Sequence, residues 1–157
     1  YVLLNRFLPG GRGLENTKYL LSVDEINAIF DIAEEVFSRA EVYGHIGTEL
    51  PYCIIKNPKK YKYLNIASLC AAAKSFFVID PSGYIKVCNH SPTRLCKWTD
   101  LDTLEKSEYW QRFVSRDYTP EMCRNCEYLN IKCDGGCREA AHVYFGNISD
   151  KDPCFKK

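Results

Sequence analysis

Apolar positions along the chain keep a helical rhythm in one long stretch and fall into short runs elsewhere. Ile26, Ile29, Phe30, Ala33, Phe37 and Ala40 recur at the i, i+3, i+4, i+7 spacing of an amphipathic helix that packs one face against a sheet. Ser22-Val-Asp-Glu25 stands immediately before them and matches a capping box, with Ser22 as N-cap and Glu25 at the third helical position. Upstream, Val2 to Phe7 reads as a short strand, and the glycines of Pro9-Gly-Gly-Arg-Gly13 mark a turn-rich loop. Residues 41–52 are expected to carry another short strand that ends at Pro51, followed by a polar loop around Asn57-Pro58.

Beyond that loop the pattern changes. Ser75 to Ile79, the turn Asp80-Pro-Ser-Gly83, and Tyr84 to Cys88 read as a β-hairpin that brings Cys70 and Cys88 towards one end. Thr103 to Ser115 is expected to be a helix capped by Asp102, with Leu104, Trp110, Phe113 and Val114 on its apolar side. From Cys123 to Cys137 no periodicity specifies local structure, so a metal would have to organise it. Gly135-Gly136 breaks the chain there, and Cys137 to Tyr144 can form a short helix closed by Gly146. The expected fold class is α+β. A strand-helix piece (1–52) precedes a small cysteine-rich domain (53–157) with a hairpin and short helices.

Composition narrows the chemistry. With 157 residues, 46% apolar, 26% charged and a net charge of +1, the chain is an ordinary globular one. No run of like charges suggests nucleic acid, and no stretch is long and apolar enough for a membrane span, so neither partner is expected. The start lacks a signal-peptide pattern, and the expected location is cytoplasmic. The chain does not begin with Met and opens in an apolar run, which suggests part of something longer.

The 9 cysteines are too many for incidental use and odd in number, in a chain without a secretory signal. Disulfides therefore give way to thiolate ligation of zinc or of iron–sulfur clusters. Cys123-x2-Cys126 can offer two sulfurs to one metal from a tight turn, and Cys133-x3-Cys137 adds two more. Zinc and cluster irons share tetrahedral sulfur ligation, and a structural zinc module without redox activity stands as the alternative reading. Arg124, Lys132 and Arg138 lie beside the cysteines, where they can offset the charge of ligated thiolates or stand as solvated surface charges. Of the histidines only His90, two residues after Cys88, lies near a cysteine, and it reads as a neighbour of a ligand or a surface residue. No Ser/His/Asp arrangement or carboxylate pair supports hydrolysis, and no catalytic residue is assigned.

The run Cys70-x12-Gly83-x4-Cys88, then Cys123-x2-Cys126-x6-Cys133-x3-Cys137, then Cys154 resembles the SPASM domain. This is the C-terminal auxiliary-cluster domain of radical S-adenosylmethionine enzymes that modify peptides and proteins. Val78-Ile-Asp-Pro-Ser-Gly83 and Cys133-Asp-Gly-Gly-Cys-Arg138 resemble the family's surrounding words, and one spacing departs, with six residues rather than five between Cys126 and Cys133. The resemblance implies two auxiliary clusters, usually [4Fe–4S]. It assigns Cys70, Cys88 and Cys137 to the first, and Cys123, Cys126, Cys133 and Cys154 to the second. The fourth ligand of the first cluster is not fixed by the pattern. Cys53 is the first choice and Cys96 the second, with an open iron or inert thiols as the other readings.

Asn5-Arg-Phe-Leu-Pro-Gly-Gly-Arg-Gly13 and its Ser-capped helix resemble the last part of the family's partial (β/α) barrel, near its S-adenosylmethionine site. The Cys-x3-Cys-x2-Cys triplet that holds the family's catalytic cluster is missing. The resemblance thus implies an oxidoreductase or maturase whose barrel is supplied by an N-terminal part of the same protein. S-adenosylmethionine would bind in that full-length enzyme, the substrate would be a peptide or protein, and this chain would be inactive alone.

Overall fold

The computed structural model describes residues 1–66 and 69–156. Three short strands, β1 (Val2–Leu4), β2 (Gly44–Ile46) and β3 (Leu64–Asn65), form a parallel sheet in that order. Val2 stands opposite Gly44, and Gly44 opposite Leu64. Parallel strands need a crossover, and α1 (Val23–Ala40) supplies it between β1 and β2. The capping box is present at its start: Ser22 Oγ accepts from Glu25 N–H, and the Glu25 carboxylate accepts from Ser22 N–H at 2.8 Å.

Helix α1 buries Ile26, Asn27, Phe30, Ala33 and Phe37 against Ile46, Leu50, Ile54, Ile55, Leu64 and Ile66. Ile29 and Ala40, expected on that face, are exposed, because three short strands cover only a narrow stripe of the helix. Asn27 takes a place the apolar pattern did not predict. Its side-chain amide donates to Ile54 O at 2.9 Å and accepts from Lys56 N–H at 2.8 Å, which fixes the turn around residue 53. The Glu34 carboxylate accepts the backbone N–H groups of Lys62, Tyr63 and Leu64 and so anchors the entry into β3.

The hairpin forms as β4 (Val78–Ile79) and β5 (Ile85–Lys86), shorter than the sequence suggests. Gly83, at φ +79°, and the Asp80 carboxylate, which accepts from Ser82 and Tyr84 N–H, close its turn. Residues 95–98 run alongside β5, with Ile85 N–H donating to Cys96 O and Leu95 N–H to Ile85 O. The helix expected from Thr103 begins later. A 3₁₀ segment occupies Trp98–Lys106, and α2 (Glu108–Ser115) starts from Ser107, whose Oγ caps Trp110 N–H; Asp102 caps nothing. Phe113 of α2 is fully buried in a second core with Cys70, Ala72, Val87, Cys88, Tyr118 and Ile148. Helix α3 (Arg138–Phe145) follows the Gly-Gly break and ends at Gly146, which is left-handed at φ +100°. Among the described residues no helix is long and apolar enough to cross a membrane.

Gly44 leaves room for the Phe37 ring where α1 crosses β2, and a Cβ there would run into that ring. Gly44→Ala is expected to cost about 1–3 kcal/mol through overpacking, read as a lower midpoint in chemical denaturation.

Candidate metal centre

All nine cysteines are free, and six of them (Cys70, Cys88, Cys123, Cys133, Cys137 and Cys154) are buried. The stretch from Cys123 to Cys137 is built from successive tight turns. Cys126 N–H donates to Cys123 O at 3.0 Å, Leu129 N–H to Cys126 O, and Cys133 N–H to Tyr128 O. The six residues between Cys126 and Cys133 fold back on themselves through Asn130, at φ +60°, whose N–H donates to Cys133 O at 2.9 Å. Gly135 and Gly136 follow at φ +94° and +88°. A Cβ on the first would meet Pro120, and one on the second would meet Asp152 and Pro51. Only glycine serves at both positions, on conformational and steric grounds together.

The cysteines gather in two sets. Burial pushes the Cys123 thiol up, and the nearby thiolates of Cys133, Cys53 and Cys126 add to the rise. Burial likewise raises Cys154, with Asp152 and Cys53 contributing. This set holds the four residues that the resemblance assigns to a second cluster, and it also holds Cys53. The Tyr52 ring lies 4.9 Å from that of Tyr128, and Lys132 Nζ stands 5.0 Å over the Tyr52 ring, which locks residue 53 beside the 126–133 turn. Cys53, the first choice to complete a site with Cys70 and Cys88, therefore stands with Cys126 and Cys133 instead.

Cys70 and Cys88 share the second apolar core, and Cys137, which the resemblance assigns with them, is tied through its N–H to Asp152. Burial pushes Cys70 up to about 12, with Glu49, Asp134 and Cys88 adding, and pushes Cys88 up to about 11, with Glu139 and Glu49 adding. Cys137 is raised well above the usual thiol value by burial, with Asp152 and Glu49 adding and Arg6 opposing. Cys96 is half-buried on the segment beside β5. His90 is exposed at the surface, and partial desolvation of its ring, with the charges of Arg6 and Lys86, lowers its pKa.

Two charged assemblies sit between the sets. Arg6, just past β1, makes a two-pronged ion pair with Asp152, at 2.7 Å from Nη1 to Oδ1 and 2.5 Å from Nη2 to Oδ2. Asp152 also accepts Cys137 N–H and Cys154 N–H, both at 2.9 Å. Asp134, 1% exposed, accepts Cys70 N–H at 3.1 Å and the Tyr118 hydroxyl at 2.8 Å. Each set of thiols is thus tied by its backbone to a buried carboxylate. Sequence reasoning missed both carboxylates, although Asp152-Pro153-Cys154 carries a capping signal in its Asp-Pro pair.

Arg138 separates from the other two basic residues beside the cysteines. Arg124 and Lys132 are exposed, whereas Arg138 is 0% exposed. Its guanidinium donates to the carbonyls of Gly135, Gly136, Ile148 and Asp150, and no carboxylate pairs with it among the described residues. Burying a cation without a counter-charge costs on the order of several kcal/mol, so the fold around Arg138 is suited to nearby anions. Its charge acts on Cys123, where it favours the thiolate. Arg6 Nε is also buried without an acceptor, and the Arg6 charge is favoured by Asp152, Cys137 and Cys154 against the cost of burial. One buried cation without a counter-charge, Arg138, and one buried donor without an acceptor, Arg6 Nε, fit a nearby thiolate-ligated anionic group.

Among the described residues no three His, Cys, Asp or Glu side chains are set closely enough to hold a single metal ion. Thiolates on one Zn²⁺, each about 2.3 Å from it, must crowd together.

No family model matches the chain, and no solved structure matches it. Curated proteins do. The chain is 28% identical over 151 residues to the PqqA peptide cyclase of Granulibacter bethesdensis, which covers 91% of this chain and 38% of that protein. It is 31% identical over 88 residues to the radical SAM cyclopropyl synthase TigE of Paramaledivibacter caminithermalis, covering 54% of this chain and 18% of that protein. The chain therefore spans well under half the length of these relatives.

The Arg6–Asp152 pair is buried on both sides, whereas Arg39–Glu35 is exposed. Asp152→Asn is expected to cost about 3–5 kcal/mol in chemical denaturation, since it strands a buried guanidinium, while Glu35→Gln changes stability by less than about 0.5 kcal/mol.

Proposed function

We propose that this chain is the C-terminal, cluster-bearing part of a radical S-adenosylmethionine enzyme that modifies a peptide or protein, and that it binds two auxiliary iron–sulfur clusters. Cys70, Cys88 and Cys137 serve the first, and Cys123, Cys126, Cys133 and Cys154 the second. The observation that carries this reading is the buried Arg138, which has no carboxylate partner among the described residues, follows Cys137 in the chain and favours the thiolate of Cys123, in a protein whose nine thiols are all free. Similarity to a peptide cyclase and to a radical SAM cyclopropyl synthase supports the same class of enzyme.

When bound, such clusters supply one-electron transfer and Lewis-acidic iron, at potentials set by charge, hydrogen bonding and solvent exposure. The chain's own part is to hold and tune them. Asp152 and Asp134 fix the backbone at Cys137, Cys154 and Cys70, Arg138 and Arg6 offset negative charge, and the two apolar cores exclude water on either side. Gly135-Gly136 sets Cys133 and Cys137 on opposite sides of a tight break, so each site constrains the other. S-adenosylmethionine binding and substrate chemistry belong, in this reading, to a barrel whose cysteine triplet this sequence does not contain.

Purified and reconstituted without oxygen, the chain should carry about eight irons with matching acid-labile sulfide and give a cluster EPR signal after reduction. Zinc without sulfide, persisting through reconstitution, would overturn the reading in favour of a structural zinc module. Cys133→Ala should lower iron at both sites, whereas Cys96→Ser should leave the iron content unchanged.

A further inference from the structure

The three parallel strands share a feature at their starting ends. Each is preceded by a tyrosine, Tyr1, Tyr43 and Tyr63, and the register that sets Val2 opposite Gly44 and Gly44 opposite Leu64 puts the three in one row. Val2 N–H donates to Tyr43 O at 3.0 Å and Gly44 N–H to Tyr63 O at 2.9 Å, so the ladder itself holds the row. The rings of Tyr43 and Tyr63 stack at 5.4 Å, and the Tyr1 ring meets His45 edge-on at 5.0 Å. His45 and Asn65 stand two residues further along their strands, on the same face by the period of two, with Nδ1 and Nδ2 3.4 Å apart. Parallel sheets are ordinarily covered on both faces. Here α1 covers one, and the starting end of the other carries aromatic rings, hydroxyls and an amide.

A second wall stands across from this row. Tyr52 and Lys132, which neighbour Cys53 and Cys133 in the chain, touch each other, with Nζ 5.0 Å over the ring and 3.4 Å from the hydroxyl. Between the walls lies a cavity of about 720 Å³, the size of a ligand site and far more than a small ion needs. Lys62 and Lys132 line it, and no aspartate or glutamate does. Among the described residues neither of these lysines makes an ion pair, whereas Lys56 and Lys60 do. The cavity is also apart from the Arg6–Asp152 assembly, which lies past the opposite end of β1.

This lining selects an occupant. Positive charge with no carboxylate facing it complements a carboxylate-bearing partner. Rigid tyrosine rings give contact area at small entropy cost, and their hydroxyls, with Asn65, can hydrogen-bond a peptide backbone. Two lysines are too few for nucleic acid, whose binding rests on many phosphate contacts. We propose that the cavity is a docking site for an acidic stretch of the peptide substrate, with Lys62 and Lys132 facing its carboxylates and the tyrosine row against its backbone. This rests on the peptide-modifying reading above and adds to it the charge of the peptide.

The test measures fluorescence anisotropy of a fluorescein-labelled peptide of alternating Glu and Gly on the purified chain, beside the same peptide with Gln for Glu. The Glu peptide should bind, more weakly as salt is raised, and the Gln peptide should bind about tenfold less tightly. The double variant Lys62→Gln/Lys132→Gln changes only exposed side chains, so its far-UV circular dichroism should match the wild type while the preference for Glu is lost. Tyr43→Ala should weaken both peptides. Lys18→Gln/Lys106→Gln, at exposed sites outside the cavity, should change neither. Equal binding of the Glu and Gln peptides, no binding of either, or equal losses in the two double variants would overturn the site and leave the cluster reading standing. A single-stranded oligonucleotide of equal charge held as tightly, or dimers that dissociate in Lys62→Gln/Lys132→Gln, would overturn the peptide as occupant. Both double variants should keep the wild type's iron and sulfide after reconstitution. A chain without sulfide that still prefers the Glu peptide would support this site and overturn the cluster reading.

Discussion

Arg6 and Asp152 meet across almost the whole length of the chain, and both cysteine sets depend on that meeting. Arg6 belongs to the segment leaving the first strand, and Asp152 to the last turn before the C-terminal end. Their contact brings Cys154 into the core formed by α1 and the sheet, holds the Cys137 N–H, and fixes the backbone at Glu49. A buried ion pair is seldom a large source of net stability, because desolvation offsets much of its attraction. Its value here lies in geometry. Two buried charges joined by a two-pronged contact specify where four separate segments must sit, and apolar packing alone would leave that placement loose.

The charge balance explains why these segments converge. Six buried thiols would be apolar fillers in an ordinary core, and Arg138 would be an expensive one. Placed together, thiols that can ionise and a guanidinium held only by carbonyls make mutual sense. Anionic clusters would neutralise the cation, and the cation would lower the cost of their negative charge. Burial raises the thiol pKa values of Cys70, Cys88, Cys123, Cys137 and Cys154, so ligation must displace protons, and binding is thereby coupled to folding.

Much of the framework was legible in the sequence. The capping box at Ser22, the hairpin turn at Asp80 to Gly83 and the closing Gly146 are local signals, and local chemistry decides them. Non-local demands were harder to read. Asn27 replaces an apolar neighbour on α1 because a turn 27 residues away needs its amide, and Ile29 is exposed because the sheet is narrow. Ser107 rather than Asp102 starts α2, since the residues between them take a tighter 3₁₀ path. Cysteine spacing marks the close run from Cys123 to Cys137, whereas Cys53 has no spacing rule, and only the packing of Tyr52 on Tyr128 places it beside that run. Glu49, Asp134 and Asp152 carry no motif that points to the cysteines. Arg138 had one, its position directly after Cys137, yet sequence alone could not distinguish it from solvated Arg124 and Lys132.

Under the proposed function, the free thiols and the buried Arg138 form one balanced unit only when anionic clusters are bound. Chemical denaturation of the chain before and after anaerobic loading with iron and sulfide, followed by far-UV circular dichroism and by cluster absorbance together, tests it most directly. Loading should move the midpoint to clearly higher denaturant, with cluster loss and unfolding coincident in one transition. Equal midpoints with and without iron and sulfide, or clusters lost while the fold persists unchanged, would contradict it.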